Sequence, residues 1–129
     1  MREIKFRGKN SAGWVIGSLI VNPVYTAIIE IEDPDEGTSV RHYVIPDTVG
    51  QFTGLKDANG KEIYEGDIVA GYWDFEEDEW PAVVEWDEVS ARFVLSGQNS
   101  VIPCNEMGGL EVTIIGNVYD NPELLEAQA

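Results

Sequence analysis

The stretch TGLKDANGKEIYEGDIV, Thr53 to Val69, decides how the chain is read. It carries Gly54, Gly60 and Gly66, an Asn59-Gly60 pair, and then a switch to apolar residues at Ile68-Val69. Asn and Gly tolerate the positive φ that tight hairpins need, and the spacing from Asp57 to Gly60 also suits a type I turn closed by a glycine. Glu65-Gly66-Asp67 supplies a second reversal. The stretch therefore reads as two turns around a short hairpin, with Gly54, Asn59, Gly60, Gly66 and Asp67 as its structural turn residues and Leu55, Ile63, Tyr64, Ile68 and Val69 anchoring it to a core.

Two ligand-binding readings fail, one of this loop and one of the acidic run that follows it. A phosphate-binding loop of the Walker type needs Gly, four residues, then Gly-Lys-Ser/Thr opening a helix. Here five residues separate Gly54 from Gly60, Glu62 stands where the Mg²⁺-binding hydroxyl belongs, and no helical pattern follows. An EF-hand loop needs ligands at fixed alternate positions and a central glycine. The acidic run Asp74, Glu76, Glu77, Asp78 and Glu79 has no glycine inside it.

Working outward, the chain alternates strand and turn signals. Residues 3–7 (EIKFR), 14–21 (WVIGSLIV), 24–32 (VYTAIIEIE) and 40–45 (VRHYVI) read as strands, as do 68–73, 82–86, 92–95 and 111–119. A turn-rich break is expected from Gly8 to Gly13. Gly17, inside a strand, marks a bulge or a close backbone approach. Asn121 and Pro122 have the form of a helix N-cap and first helical residue, so NPELLEAQA gives at most one short helix. No long 3.6-residue periodicity occurs. The expected fold is all-β and mainly antiparallel, one domain over 1–129 with sub-lobes at about 1–52 and 53–129.

The composition bounds the function. The 129 residues carry 8 Lys and Arg against 24 Asp and Glu, a net charge of −16. Residues 65–129 hold one base, Arg92, against 15 acids. Nucleic-acid binding needs clustered cations, so direct binding to DNA or RNA is not expected, the short basic strand Arg2, Lys5, Arg7, Lys9 being the one place that leans the other way. The single cysteine, Cys104, excludes an internal disulfide and suits a reducing compartment, so a cytoplasmic location is expected. No apolar stretch has the length of a membrane span.

Candidate chemistry is sparse. His42 is the sole histidine and Cys104 the sole thiol, and nothing in the sequence pairs them as a catalytic dyad or a zinc site. No catalytic residue, metal ligand or cofactor is assigned, and the chain is read as non-enzymatic. Trp73 and Trp80 flank the acidic loop, with Trp86 further on. Their plain reading is barrel core and hairpin packing; the sharper one makes Trp73, Asp74, Glu76, Glu77, Asp78, Glu79 and Trp80 an aromatic-acidic surface for a basic protein partner.

The blocks MREIKFRGKN, QFTGLKDANGKEIYEGDIV, VVEWD and IIGNVYDNPELL, in this order, resemble the YopX-like family of phage and prophage proteins. The resemblance spans almost the whole chain. It implies barrel-like lobes, with the part after Asp67 similar to an SH3-like barrel, and transfers no catalytic residue. It makes the expected function that of a phage or prophage accessory protein acting in the cytoplasm of a bacterial host cell by protein–protein contact or self-assembly, as a homo-oligomer. The alternatives are an acidic mimic of DNA that inhibits a host nucleic-acid-binding protein, and a metal-dependent hydrolase built on the acidic loop.

Overall fold

The computed structural model describes residues 4–21, 27–33, 35–71, 80–97, 101–103 and 112–126. The chain divides into two compact units, Met1–Gly54 and Leu55–Ala129. Among the described residues both are built almost wholly from antiparallel strands, with one short helix, at Glu123–Glu126.

The first unit contains β1 (Phe6–Asn10), β2 (Gly13–Val21), β3 (Ala27–Asp33), β4 (Thr38–Val44), a 3-10 turn at Pro46–Thr48, and the start of β5 (Gly50–Lys56). Its strand order is β4-β3-β2-β1-β5. Registers such as Leu19↔Ile29↔His42 put alternate residues on one face. Ala27, Ile29 and Val44 form the buried cluster there, with Phe6, Val15, Leu19 and Val49 packed against it. The sheet curls until the end of β4 meets β1. The Ile45 N–H donates to the Lys9 carbonyl at 2.8 Å, and the Asn10 side-chain amide donates to the Tyr43 carbonyl at 3.2 Å. Thr48 completes this seam, its hydroxyl accepting from the Lys9 N–H at 2.9 Å and donating to the Ile45 carbonyl at 2.6 Å.

Two glycines are set by this curl. Gly8, expected to open a turn, is instead buried in the middle of β1, and the turn shrinks to Ser11-Ala12. The reason is space: a Cβ on Gly8 would sit 2.6 Å from Cγ2 of Val44. At Gly17 the expected close approach is present. A Cβ there would lie 2.2 Å from the backbone oxygen of Glu30 on the neighbouring strand, which a side-chain rotation cannot relieve.

The second unit takes up the end of β5 and continues with β6 (Glu62–Tyr64), β7 (Asp67–Gly71), β8 (Trp80–Asp87), β9 (Arg92–Ser96), β10 (Val101–Pro103), β11 (Val112–Asn117) and α1 (Glu123–Glu126). Its five-stranded sheet runs β10-β9-β8-β7-β11. Strands β7 to β10 pair in succession, and β11 then returns to the other side of β7. The core is Ile63, Val69, Ala82, Val84, Phe93, Leu95 and Val112, with Leu55 and Ile114 against it. All five residues of β7 are buried, which is why DIVAG shows no alternation of polar and apolar. Two strands escape the sequence pattern: β5 begins at Gly50, ahead of the predicted hairpin, and β10 is only three residues long.

Gly17→Ala is expected to destabilise the protein by about 1–3 kcal/mol, because the Glu30 backbone must move to admit one methyl. A thermal melt followed by circular dichroism checks this. An unchanged melting temperature would contradict the close approach of β2 and β3.

Candidate functional site

The most distinctive local structure is built by the two turns of the opening stretch and the end of β11, all within the second unit from Leu55 onward. In the first turn the Gly60 N–H donates to the Asp57 carbonyl at 3.0 Å, and the Asp57 N–H donates to the Lys61 carbonyl at 2.8 Å. This is a type I turn followed by a glycine in the left-handed region, Gly60 having φ of 83°. The glycine-closed type I reading therefore holds. Asn59 does not take positive φ; among the described residues Ala91 is the only non-glycine that does. Gly54 and Gly66 share the left-handed conformation, at 90° and 93°.

The side chain of Asp57 organises this turn. Its Oδ1 accepts the N–H groups of Asn59 and Lys61 at 2.9 and 2.8 Å, and its Oδ2 accepts the N–H of Ile114 at 3.0 Å. The residue is only 8% exposed. Burial pushes its carboxyl up, but the N–H groups of Ile114, Lys61 and Asn59, with the Lys61 charge, outweigh this and hold it below the usual carboxylate value of 3.8. Beside it the Ala58 N–H donates to the Val112 carbonyl at 2.9 Å. The turn thus bonds both Val112 and Ile114 along the outer edge of β11, the edge that β7 does not use.

The second turn is tied to the same region. Oδ2 of Asp67, which is 1% exposed, accepts the Tyr64 N–H at 2.8 Å. The Gly66 N–H donates to the Val84 carbonyl at 2.8 Å, and the Gly66 carbonyl accepts from the Val118 N–H at 2.9 Å. A Cβ on Gly66 would come within 3.1 Å of the Tyr119 ring. Beyond β11, Asn117 Oδ1 accepts the N–H groups of Tyr119 and Asp120 at 3.0 and 2.9 Å. Asn121, expected as a helix cap, turns its side-chain oxygen back to the Asn117 N–H at 3.3 Å, while its backbone carbonyl accepts from Leu124. The blocks QFTGLKDANGKEIYEGDIV and IIGNVYDNPELL, far apart in sequence, are therefore joined in space by β7–β11 pairing and by these bonds.

The other sequence candidates fall as follows. Trp73, Asp74, Glu76, Glu77, Asp78 and Glu79 lie outside the described residues, as does Cys104, and Trp80 is described only as the first backbone position of β8. His42 is half-buried on β4, paired with Ile29. Trp86 is 41% exposed, and its ring meets Phe93 edge-on at 5.0 Å. No group of three His, Cys, Asp or Glu stands ready to hold a metal ion among the described residues, and no helix there is long and apolar enough to cross a membrane. Sequence reasoning missed Asp57, Asn117 and Asn121 as polar hubs. The signal for Asp57 was present, since Asp two residues before Asn and three before Gly is the pattern of a side chain bonding its own turn.

The family model described as YopX protein matches residues 6–126, and the chain belongs to the YopX family. The crystal structure of protein EF1440 from Enterococcus faecalis is similar in fold, with a TM-score of 0.60 and 22% identity over 97% of this chain and 99% of that one. Among curated proteins there is no match.

Asp57→Asn is expected to cost about 1–3 kcal/mol at neutral pH, since one of its acceptors becomes a donor facing backbone N–H groups. The folded carboxyl titrates below its unfolded value, so its contribution is complete above about pH 4 and is lost as pH falls through the lowered value. Denaturant titrations of both proteins across pH 7 to 3 check this. The difference between them should narrow only in the acid range, and a gap that vanished at neutral pH would remove the carboxylate from its place at β11.

Proposed function

We propose that this YopX-family chain is a non-enzymatic accessory protein, encoded by a phage or prophage, that works in the bacterial cytoplasm through protein–protein contact and contact with further copies of itself. The observation that carries this reading is the fate of the signature's polar groups. Asp57, Asp67, Asn117 and Asn121 all accept backbone N–H groups of their own unit. Such groups hold a scaffold together, and they leave recognition to the outer surfaces. Those surfaces present large apolar side chains, among them Tyr43, Ile45 and Val89 at 66%, 54% and 98% exposure.

A second reading is supported by charge. Leu55–Ala129 holds three bases, Lys56, Lys61 and Arg92, against 17 acids, a net of −14, whereas Met1–Gly54 nets −2. A unit so acidic suits a mimic of nucleic acid that occupies a basic host protein.

Light scattering on the purified full chain at micromolar concentration is the test. A mass that is a multiple of one chain supports self-assembly. A single-chain mass at all concentrations, with salt-sensitive capture of a nucleic-acid-binding protein from bacterial lysate, would overturn it in favour of the mimic.

A further inference from the structure

The turn between β8 and β9 is built as a firm projection. Asp87 Oδ1 accepts the Val89 N–H at 3.1 Å, and Asp87 Oδ2 accepts the Ser90 hydroxyl at 2.6 Å. These bonds, that of the Ser90 hydroxyl first, hold the Asp87 carboxyl below its usual range, so the charge is retained. Val89 stands at the apex with 98% of its surface open, and Trp86, at 41%, lies at the base. Glu85 and Glu88 are exposed around them. The tip is thus an apolar knob with an acidic rim.

The first unit carries a face of the opposite kind. The registers Ser18↔Glu30↔Arg41 and Ile20↔Ile28↔Tyr43, with Arg7↔Ile16 and Lys9↔Trp14, place these residues on the side of the sheet away from its core cluster. Ile16, Tyr43 and Ile45 are 45%, 66% and 54% exposed there. Arg41 is 62% exposed and paired with Glu30 at 2.8 Å, Lys9 lies over the Trp14 ring at 5.9 Å, and Arg7, over the same ring at 4.7 Å, has its Nε and Nη2 buried. Half of the eight bases of the chain, Lys5, Arg7, Lys9 and Arg41, belong to these strands or their approach.

We propose that the β8–β9 tip of one copy docks on this basic, apolar sheet face of a second copy. This rests on the self-assembly reading and names its contact surfaces. Charge complementarity selects the arrangement. Tip against tip would set the acidic rim against its own image and bring like charges together in a chain of net charge −16. Tip against face brings Glu85 and Glu88 toward Arg41 and Lys9 while Val89 and Trp86 meet Ile16, Tyr43 and Ile45. The contact therefore joins two unlike surfaces, one from each unit.

Sedimentation velocity on the full chain, with melting temperatures recorded in parallel, tests this. Val89→Lys removes the apolar apex and opposes the basic face, yet touches nothing internal, so its melting temperature should match wild type. It is expected to shift the wild-type assembly to the 14.3 kDa single chain. Glu88→Lys and Arg41→Glu should each weaken assembly at least several-fold, and the double variant should recover it. A wild-type assembly left intact by Val89→Lys, or a charge swap that recovers nothing, overturns these surfaces while self-assembly stands. A wild type that stays single-chain at every concentration overturns both.

Discussion

A single buried carboxylate links the local chemistry of a turn to the long-range order of the second sheet. Burying a charge is costly unless the charge is fully hydrogen-bonded. At Asp57 the condition is met by three backbone N–H groups, two from its own turn and one from Ile114, 57 residues further on. The turn cannot close in this form without the first two, and it cannot sit against β11 without the third. The arrangement also deals with an exposed edge. β11 lies at the end of its sheet, where unpaired backbone groups invite association with other strands. The bonds from Ala58 to Val112 and from Ile114 to Asp57 occupy that edge.

What the sequence discloses follows from how far each determinant reaches. The turns were legible because their causes are local: Gly60 and Gly66 supply positive φ, and the Asp57–Gly60 spacing specifies the closed turn. The antiparallel all-β class was legible from strand-length apolar runs between turn signals, and the short terminal helix from Pro122 followed by Glu-Leu-Leu. Gly8 was misread because its reason lies 36 positions away, in the Val44 side chain that packs over it. A glycine that makes room and a glycine that turns the chain look alike in sequence. Likewise half of Asp57's role, the bonds to Asn59 and Lys61, is written within four residues, and the half that matters for the sheet is written at Ile114. β10, three residues ending in proline, falls below the length at which a period of two can be seen.

The same division separates the family signature from function. Two of its blocks build the turns and β11, and the side-chain oxygens of Asp57, Asp67, Asn117 and Asn121 within them accept backbone N–H groups of one unit. Likeness to EF1440 at 22% identity accordingly speaks to fold, and fold leaves chemistry open. Groups needed to hold a turn closed are not at liberty to hold a partner. Recognition then falls to positions that the fold leaves unconstrained, the tips of hairpins and the outer faces of sheets. Asp87 marks the difference: it performs for the β8–β9 turn what Asp57 performs for the β5–β6 turn, but with exposed bonds at a hairpin tip. Its bonds fix a projection rather than a junction, and the side chain held furthest out, Val89, is one that the fold gains nothing by exposing.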